Sequence, residues 1–513
     1  MNRRDFLKSS ALAFAGLNFL NATRTSTASL SQSIPAAAPR PNVLLVILED
    51  WGPYLGCYGH PEMKTPNLDR LAAEGVRFDN CFSCAPVCSV ARSGLMTGMS
   101  QYSTYSEQHR VAEKEKRPLP AGVKSLPEVF REAGYYTALG CGQSSKIDLN
   151  FKFDAKAVFQ GRDWRTRVPG QPFFAHLTLG ATHRPWKGDS SSHVDPARVS
   201  LPAWYPDTPM TRKDWAMGLE CAQRSDRLMG EILQRLKDEG LYDNTIIVIT
   251  SDHGIALPRG KQFLYDEGLR IPLIIRGPKL TAAGSVRRDL ASNLDIMPTV
   301  LAMAGIPIPA AVQGCDLLDD KMAPRQVVFA ARDKMDDTHD AMRAVRSTNF
   351  KYIQNLMPER AWCQFNAYKE RSYPGLALLN VLHMEGKLTP EQDAFMQPKK
   401  PAEELYDLRK DPFELHNVAT DPEYASALKK MRAQLTQWRT QVGDPGVSEE
   451  FRAGGWPSKY PTRSLQEWQD ILAQWEEHVL RNGPTPKVSG TNVWARQENQ
   501  KEIMNNSLSP KRP

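Results

Sequence analysis

Two short apolar runs set the limits on what this chain can fold into. Val43-Leu-Leu-Val-Ile-Leu48 stops abruptly at Glu49-Asp50-Trp51-Gly52, and Thr245-Ile-Ile-Val-Ile-Thr250 stops at Ser251-Asp252-His253-Gly254. Each is apolar at nearly every position rather than at alternate ones and rich in branched residues. That is the pattern of a strand buried on both faces, as in a parallel sheet. Further strands are expected over 135–139, 173–179 and 271–275, with helices over 66–74, 124–133 and 213–239 between them. Thr65-Pro66 supplies a start for the first helix and Gly75 a stop. Strands alternating with helices, each strand ending in polar residues, predict an α/β fold: a mostly parallel sheet sandwiched by helices. Catalytic groups on such sheets gather at the carboxyl ends of the strands.

Between these runs lies Cys84-Ala-Pro-Val-Cys88-Ser-Val-Ala-Arg92-Ser-Gly-Leu-Met-Thr97-Gly98. If the segment opens a helix, Cys88 and Arg92, four residues apart, share one face. Ser89, Ala91, Ser93 and Gly94 leave the thiol and the guanidinium uncrowded. Arginine presents a fork of donors that matches a tetrahedral oxyanion. Glu49, Asp50, Asp252 and His253, brought together at two strand ends, would repel one another unless a cation neutralised them. Calcium, with six to eight flexibly arranged ligands, fits such a set better than octahedral magnesium.

The cysteine segment resembles the signature of the type I sulfatases of the alkaline phosphatase superfamily, Cys-x-Pro-x-Arg followed by Leu-x-Thr-Gly. The resemblance implies that Cys88 is oxidised to formylglycine by a maturation enzyme, with Arg92 as its partner. It implies calcium held by Glu49, Asp50, residue 88, Asp252 and His253. Lys146, His183 and Lys261 match the family's remaining basic positions: the three cations Arg92, Lys146 and Lys261 would hold sulfate oxygens, and His183 would protonate the leaving group. Four positions depart from the pattern. Val90 and Ala91 replace the family's proline and serine, Glu49 replaces an aspartate, and Asp148 stands where many members have a histidine. His109, just beyond the signature, is the substitute for that histidine. Pro258-Arg-Gly-Lys261-Gln262 and Val328-Phe-Ala-Ala-Arg-Asp333 look closest to the N-sulfoglucosamine sulfohydrolase-like and arylsulfatase branch. The implied substrate is a carbohydrate carrying sulfate esters or N-sulfo groups, and the aromatic and basic stretch 362–373 could line its pocket. Two alternatives stand beside this reading: a phosphodiesterase or phosphonate monoester hydrolase of the same superfamily, and a glycan-binding pseudo-sulfatase in which Val90 blocks maturation.

The chain's front end reads as an export signal. Arg3-Arg4-Asp5-Phe6-Leu7-Lys8, a weakly apolar run from Ala11 to Leu20 and Ala36-Ala37-Ala38 form a pattern of the twin-arginine type, which implies the Tat translocase and a periplasmic or secreted product. The run is about half of what a membrane span requires, so no stable span is expected. Residues 1–38 carry Arg3, Arg4, Lys8 and Arg24 against Asp5, so their removal lowers the formal charge from +7 to +4. That is too mild to argue for nucleic acid and suits an anion-attracting site. None of the eight cysteines sits in a zinc-binding spacing. Domain boundaries are expected at 1–38 for the signal, 39–340 for a catalytic domain, 341–443 for a smaller α+β subdomain and 444–513 for a helical extension and polar tail. Within the subdomain, 349–353 reads as an edge strand and 362–373 as irregular. A helix after Asp421-Pro422 should bury Leu428, Met431, Leu435, Trp438 and Val442. A last helix, opened by Ser464 and Glu467 as a capping box, should bury Trp468, Leu472, Trp475 and Val479.

Overall fold

The computed structural model describes residues 40–143, 145–278, 280, 282–454 and 462–482. The expected export signal and the tail from Pro484 lie outside the described residues. No helix among the described residues is long and apolar enough to cross a membrane.

Eight strands build the main sheet: β1 Asn42–Leu48, β2 Val76–Phe82, β3 Tyr136–Leu139, β4 Phe173–Leu179, β5 Thr245–Ser251, β6 Arg270–Arg276, β7 Ser285–Arg287 and β8 Ala291–Ser292. Their order is β3-β4-β1-β5-β6-β2-β7, with β8 beside β2. β6 is antiparallel to both of its neighbours and runs against all the others. The sheet is therefore mostly parallel, as the buried apolar runs predict. β1 sits centrally, with Leu45 opposite His176 on one side and Val248 on the other.

The reason β1 is apolar throughout is visible in its two faces. Leu44, Val46 and Leu48 join one core, and Val43, Leu45 and Ile47 join a second. The long helix Pro209–Asp238 covers the first through Trp215, Leu219 and Met229. The helices Leu126–Glu132 and Ile296–Met303 cover the second. Helix Cys88–Thr97 lies on this second side and is buried at every one of its ten residues. Gly94 permits that, because a Cβ there would fall 2.6 Å from the Cys84 sulfur.

A second, antiparallel sheet contains β9 Val327–Arg332, β10 Met342–Ser347, β11 Phe350–Asn355 and β12 Glu403–Asp407, in the order β12-β11-β10-β9. Segment 349–353 is thus part of an interior strand, not the expected edge. Both of its edges are paired, and its central Lys351 is buried, where it binds Asp266 and, at 2.7 Å, Glu414. Stretch 362–373 is not wholly irregular either. It contains the helix Ala367–Ser372, followed at once by Pro374–Met384, and Trp362, Lys369 and Tyr373 are core residues. Helix Ala425–Val442 buries the five expected side chains and ends at Gly443 with φ +70°. The last helix, Leu465–Arg481, has its capping box but buries Ile471 where Leu472 was expected, against the Pro374–Met384 helix.

The two sheets meet in a charged seam. Asp266, just ahead of β6, binds Lys351 and, at 3.1 Å, Arg346. Its neighbour Glu267 is half-buried, accepts a hydrogen bond from Trp204 Nε1, and leaves Oε1 sealed from solvent with no partner. Burial pushes its carboxyl up from 4.5 to about 7, against the pull of Arg259. The folded state then holds a proton that the unfolded chain has lost, so this contribution to stability is full below about pH 4.5 and is lost as pH rises through about 7. Glu267→Gln is expected to flatten the decline in melting temperature between those pH values, measured against the wild type by thermal unfolding.

Candidate active site

The carboxyl ends of β1 and β5 are locked together by backbone and side-chain contacts. Ser251 Oγ donates to Leu48 O at 2.6 Å and accepts from Trp51 N at 3.1 Å, while Asp50 N donates to Asp252 Oδ1 at 3.0 Å. Asp50 itself takes φ +56°, which turns the chain sharply out of the strand. Behind it, Gly254 closes the turn after His253. A Cβ on Gly254 would lie 2.0 Å from Glu267 O, so only glycine fits. Two strands that are far apart in sequence thereby present Glu49, Asp50, Asp252 and His253 to one small volume.

Helix Cys88–Thr97 brings the thiol and the guanidinium to that volume from below. Cys88 Sγ, with 0% of the residue exposed, lies 3.4 Å from each of Asp50 Oδ1, His253 Nε2 and Lys261 Nζ. One turn on, Arg92 donates through Nε to Asp252 Oδ2 at 3.0 Å and through Nη1 to Thr178 Oγ1, at the end of β4, at 2.9 Å. Its Nη2 is buried without a hydrogen-bond partner, 4.0 Å from Glu49 Oε1. Lys261 Nζ also binds Asp50 Oδ2 at 2.7 Å. Lys146 reaches Glu49 and, at 3.0 Å, Asp148. It is held there by β4, whose His176 and Thr178 side chains meet the Lys146 carbonyl at 3.0 and 2.9 Å.

These ion pairs set the charges. Burial alone would raise Asp50, but Lys261, His183 and His253 outweigh it and hold the carboxyl well below the usual carboxylate range. Burial likewise opposes the ionisation of Asp252, which His253 and Arg92 bring down to about 2. His253 is pushed up to about 10 because Asp252 and Asp50 overcome its burial. Lys146 and Lys261 stand above their ordinary values for the same reason, despite burial. The carboxylates are ionised and crowded. A proton on His253 and three cations are what offset them in the protein alone.

His183 and His109 differ in placement. His183 Nε2 lies 3.9 Å from Asp50 Oδ2 on the more open side of the cluster, its side chain 26% exposed and its ring centroid 5.8 Å from that of Tyr368. Burial holds its pKa below the ordinary histidine value, although Asp50 pulls the other way. His109 lies one step removed. It meets Ser89 Oγ at 2.8 Å and Asp336 at 3.5 Å, and none of its hydrogen bonds or ion pairs among the described residues is with Cys88. Burial pushes it down to about 3. Every other expected site residue is in the cluster or in direct contact with it.

Sequence reasoning missed Thr178 and Ser251, which carry no motif, and the role of Asp148 as the carboxylate partner of Lys146. It also could not place Tyr368, whose ring centroid lies 5.0 Å from Lys261 Nζ; only the aromatic and basic composition of 362–373 signalled it.

Whether a divalent cation suits this set can be judged from the donors. One ligand atom each from Asp50, Cys88, Asp252 and His253 lies within 4.8 Å of the others, and Glu49, Asp50 and His183 form a second such group that shares Asp50. Buried, ionised carboxylates converging with an imidazole that holds a proton a metal ion could replace are a fitting cradle for a hard cation.

The chain is similar to known proteins in sequence and in fold. The family model described as Sulfatase matches residues 41–155 and 141–306, and the one described as N-sulphoglucosamine sulphohydrolase, C-terminal, matches 257–372. An ulvan-active sulfatase of Formosa agariphila is 34% identical over 455 residues, covering 79% of this chain and 76% of that protein. Human N-sulphoglucosamine sulphohydrolase is 28% identical, covering 80% of this chain and 92% of its own. Among solved structures, the phosphonate monoester hydrolase of Agrobacterium radiobacter superposes with a TM-score of 0.58 at 21% identity, over 82% of this chain and all of that one. On the donor geometry, calcium should raise the melting temperature of chelator-treated protein, and Asp252→Ala should abolish that rise; differential scanning fluorimetry with and without calcium checks both.

Proposed function

This chain belongs to the sulfatase family, and on that premise we propose that it hydrolyses sulfate from a carbohydrate through a formylglycine made from Cys88, with a calcium ion beside it. The observation that carries the reading is the triple contact of the Cys88 sulfur with Asp50, His253 and Lys261, each at 3.4 Å. A nucleophile at that point has a cation cradle on one side and ammonium groups on the other. Asp50, Asp252 and His253, with Glu49 adjoining, would hold the calcium. The hydrated aldehyde at residue 88 would supply one hydroxyl to attack sulfur and a second whose deprotonation expels sulfate, a step that a thiol cannot provide.

The protein's own residues account for the remaining work. Arg92 Nη2, buried and unpartnered, is a donor available to a sulfate oxygen, and its fork is fixed by Asp252 and Thr178. Lys261 and Lys146 flank the same space and offset charge as the S–O bond breaks. His183, on the open side, is placed to give a proton to the leaving oxygen. Its depressed pKa rises again when an anionic substrate enters beside it, since a negative neighbour favours the imidazolium. Asp148 keeps Lys146 aligned at the position where many relatives have a histidine, and His109, held by Asp336, acts through Ser89 on the start of the helix.

The substrate class follows from likeness: the Formosa relative is named for activity on ulvan and the human one for N-sulphoglucosamine. A sulfated sugar, O- or N-linked, is the proposed substrate. Arg3-Arg4 and the run that follows support Tat export to the periplasm or beyond, with a formylglycine-generating enzyme as an earlier partner. The phosphonate hydrolase reading shares the fold but draws no support from the family match.

The deciding measurement is peptide mass spectrometry of the segment with Cys88, joined to hydrolysis of sulfate, phosphate and phosphonate esters by the same sample. An aldehyde mass with sulfate preference is expected. An intact thiol in every preparation would point to a non-catalytic glycan binder, and preference for phosphonate to the other branch. Arg92→Lys, which loses the fork while keeping the charge, should lower kcat/KM by roughly 100-fold or more in the same assay.

A further inference from the structure

Behind the loop that carries Lys261 lies a cavity of about 10 Å³, bordered by Pro258, Gln262, Arg332, Trp362, Gln364 and Lys369 among others. Its free space is on the order of a single water-sized or monoatomic particle. Its walls are cationic. Arg332 is 1% exposed, and its Nε and Nη1 have no hydrogen-bond partner among the described residues. Trp362 Nε1, also buried, is likewise unpartnered.

The carboxylates near Arg332 are committed elsewhere. Asp340 stands 4.0 Å from Nη2 but is bound by Lys400 at 3.0 Å. Asp333 is bound by Arg343 at 3.0 Å and by the Tyr102 hydroxyl at 2.6 Å. Lys369 has no ion pair among the described residues. Its ammonium donates to the carbonyls of Pro258 and Lys261 at 2.8 and 2.9 Å, with the Phe263 ring centroid 4.5 Å away. Asp336, which it feels at longer range, is occupied by Gln262 and His109. Burial drives both Arg332 and Lys369 below their ordinary values, and for Lys369 the charge of Arg332 adds to it. Arg332 is thus left with a single distant counter-charge that it shares with Lys400, and buried positive charge so weakly paired is costly.

We propose that this cavity binds a monoatomic anion, chloride in ordinary salt, held by the free N–H groups of Arg332 and Trp362 beside Lys369. The anion would balance the two cations. It would also favour the charged form of Lys369, whose two hydrogen bonds to the Pro258 and Lys261 carbonyls are stronger when the donor is an ammonium. Gln364 Oε1, an unpartnered acceptor on the same wall, would suit a water instead, and that is the competing occupant.

The test uses the full chain, freed of halide and transferred to sodium gluconate. Melting temperature is followed as chloride or bromide replaces gluconate at constant ionic strength. A saturable, halide-specific rise is expected. Trp362→Phe, which keeps the ring and loses the donor, should raise the half-saturating chloride by roughly tenfold or more, and Arg332→Met should abolish the response. Crystals soaked in bromide should show an anomalous peak in this cavity. Equal melting in chloride and gluconate would overturn the proposal and leave water as the occupant. A halide response unchanged in Trp362→Phe would overturn it too, by placing the anion elsewhere, such as among Arg92 and Lys261. If Arg332→Met does not fold, the wild-type titration, the Trp362→Phe shift and the bromide map decide.

Discussion

Carboxylates buried side by side repel one another, and most of what surrounds the ends of β1 and β5 serves to offset that repulsion. Glu49, Asp50, Asp148 and Asp252 each contact a cation: Lys146 takes two of them, and Lys261 and Arg92 take one each. No single pair would justify its desolvation. The lattice of alternating charge is stable only as a whole, which is why its members come from five separate stretches of chain. The same arrangement leaves one guanidinium nitrogen and the open side near His183 available to an incoming anion, so the features that make the strand ends tolerable also make them reactive.

How much of this was legible in the sequence depended on whether a residue's environment is set locally. Val43 to Leu48 could be read as a buried strand because both faces of β1 meet a core, and the identity of each residue reflects that. Cys88 and Arg92 were readable because four residues along a helix fix their relation. The grouping of Asp50 with Asp252 was accessible only through the fold expectation that strand ends converge. The interior place of 349–353 and the helix within 362–373 are hidden for the opposite reason. A lysine in a strand ordinarily means solvent, and nothing local announces Asp266 and Glu414 waiting in the other sheet. Thr178 shows the same limit: its hydroxyl matters only because Arg92 and Lys146 arrive from elsewhere.

The second sheet and its helices have a larger part in the site than their distance in sequence suggests. Tyr368 lies between His183 and Lys261, and Lys369 on the next residue holds the carbonyl of Lys261 itself. Lys351 and Arg346 anchor Asp266, next to the residue whose carbonyl packs against Gly254. The loop of Lys261 and the turn at Gly254 are thus supported from the C-terminal part of the chain, and changes there will reach the chemistry through backbone position.

Helix Cys88–Thr97 is enclosed on all sides, and the Cys88 residue exposes no surface. A small anion has the open side near His183 as its approach, but a side chain that exposes no surface is out of reach of a second protein's catalytic groups. Any enzymatic conversion of residue 88 must therefore finish before the main sheet closes over it, and folding acts as a deadline. A chain that folds too early keeps its thiol for life. Two populations with the same sequence and the same shape could then coexist in one cell, set apart by the order of two events rather than by anything encoded in the folded molecule.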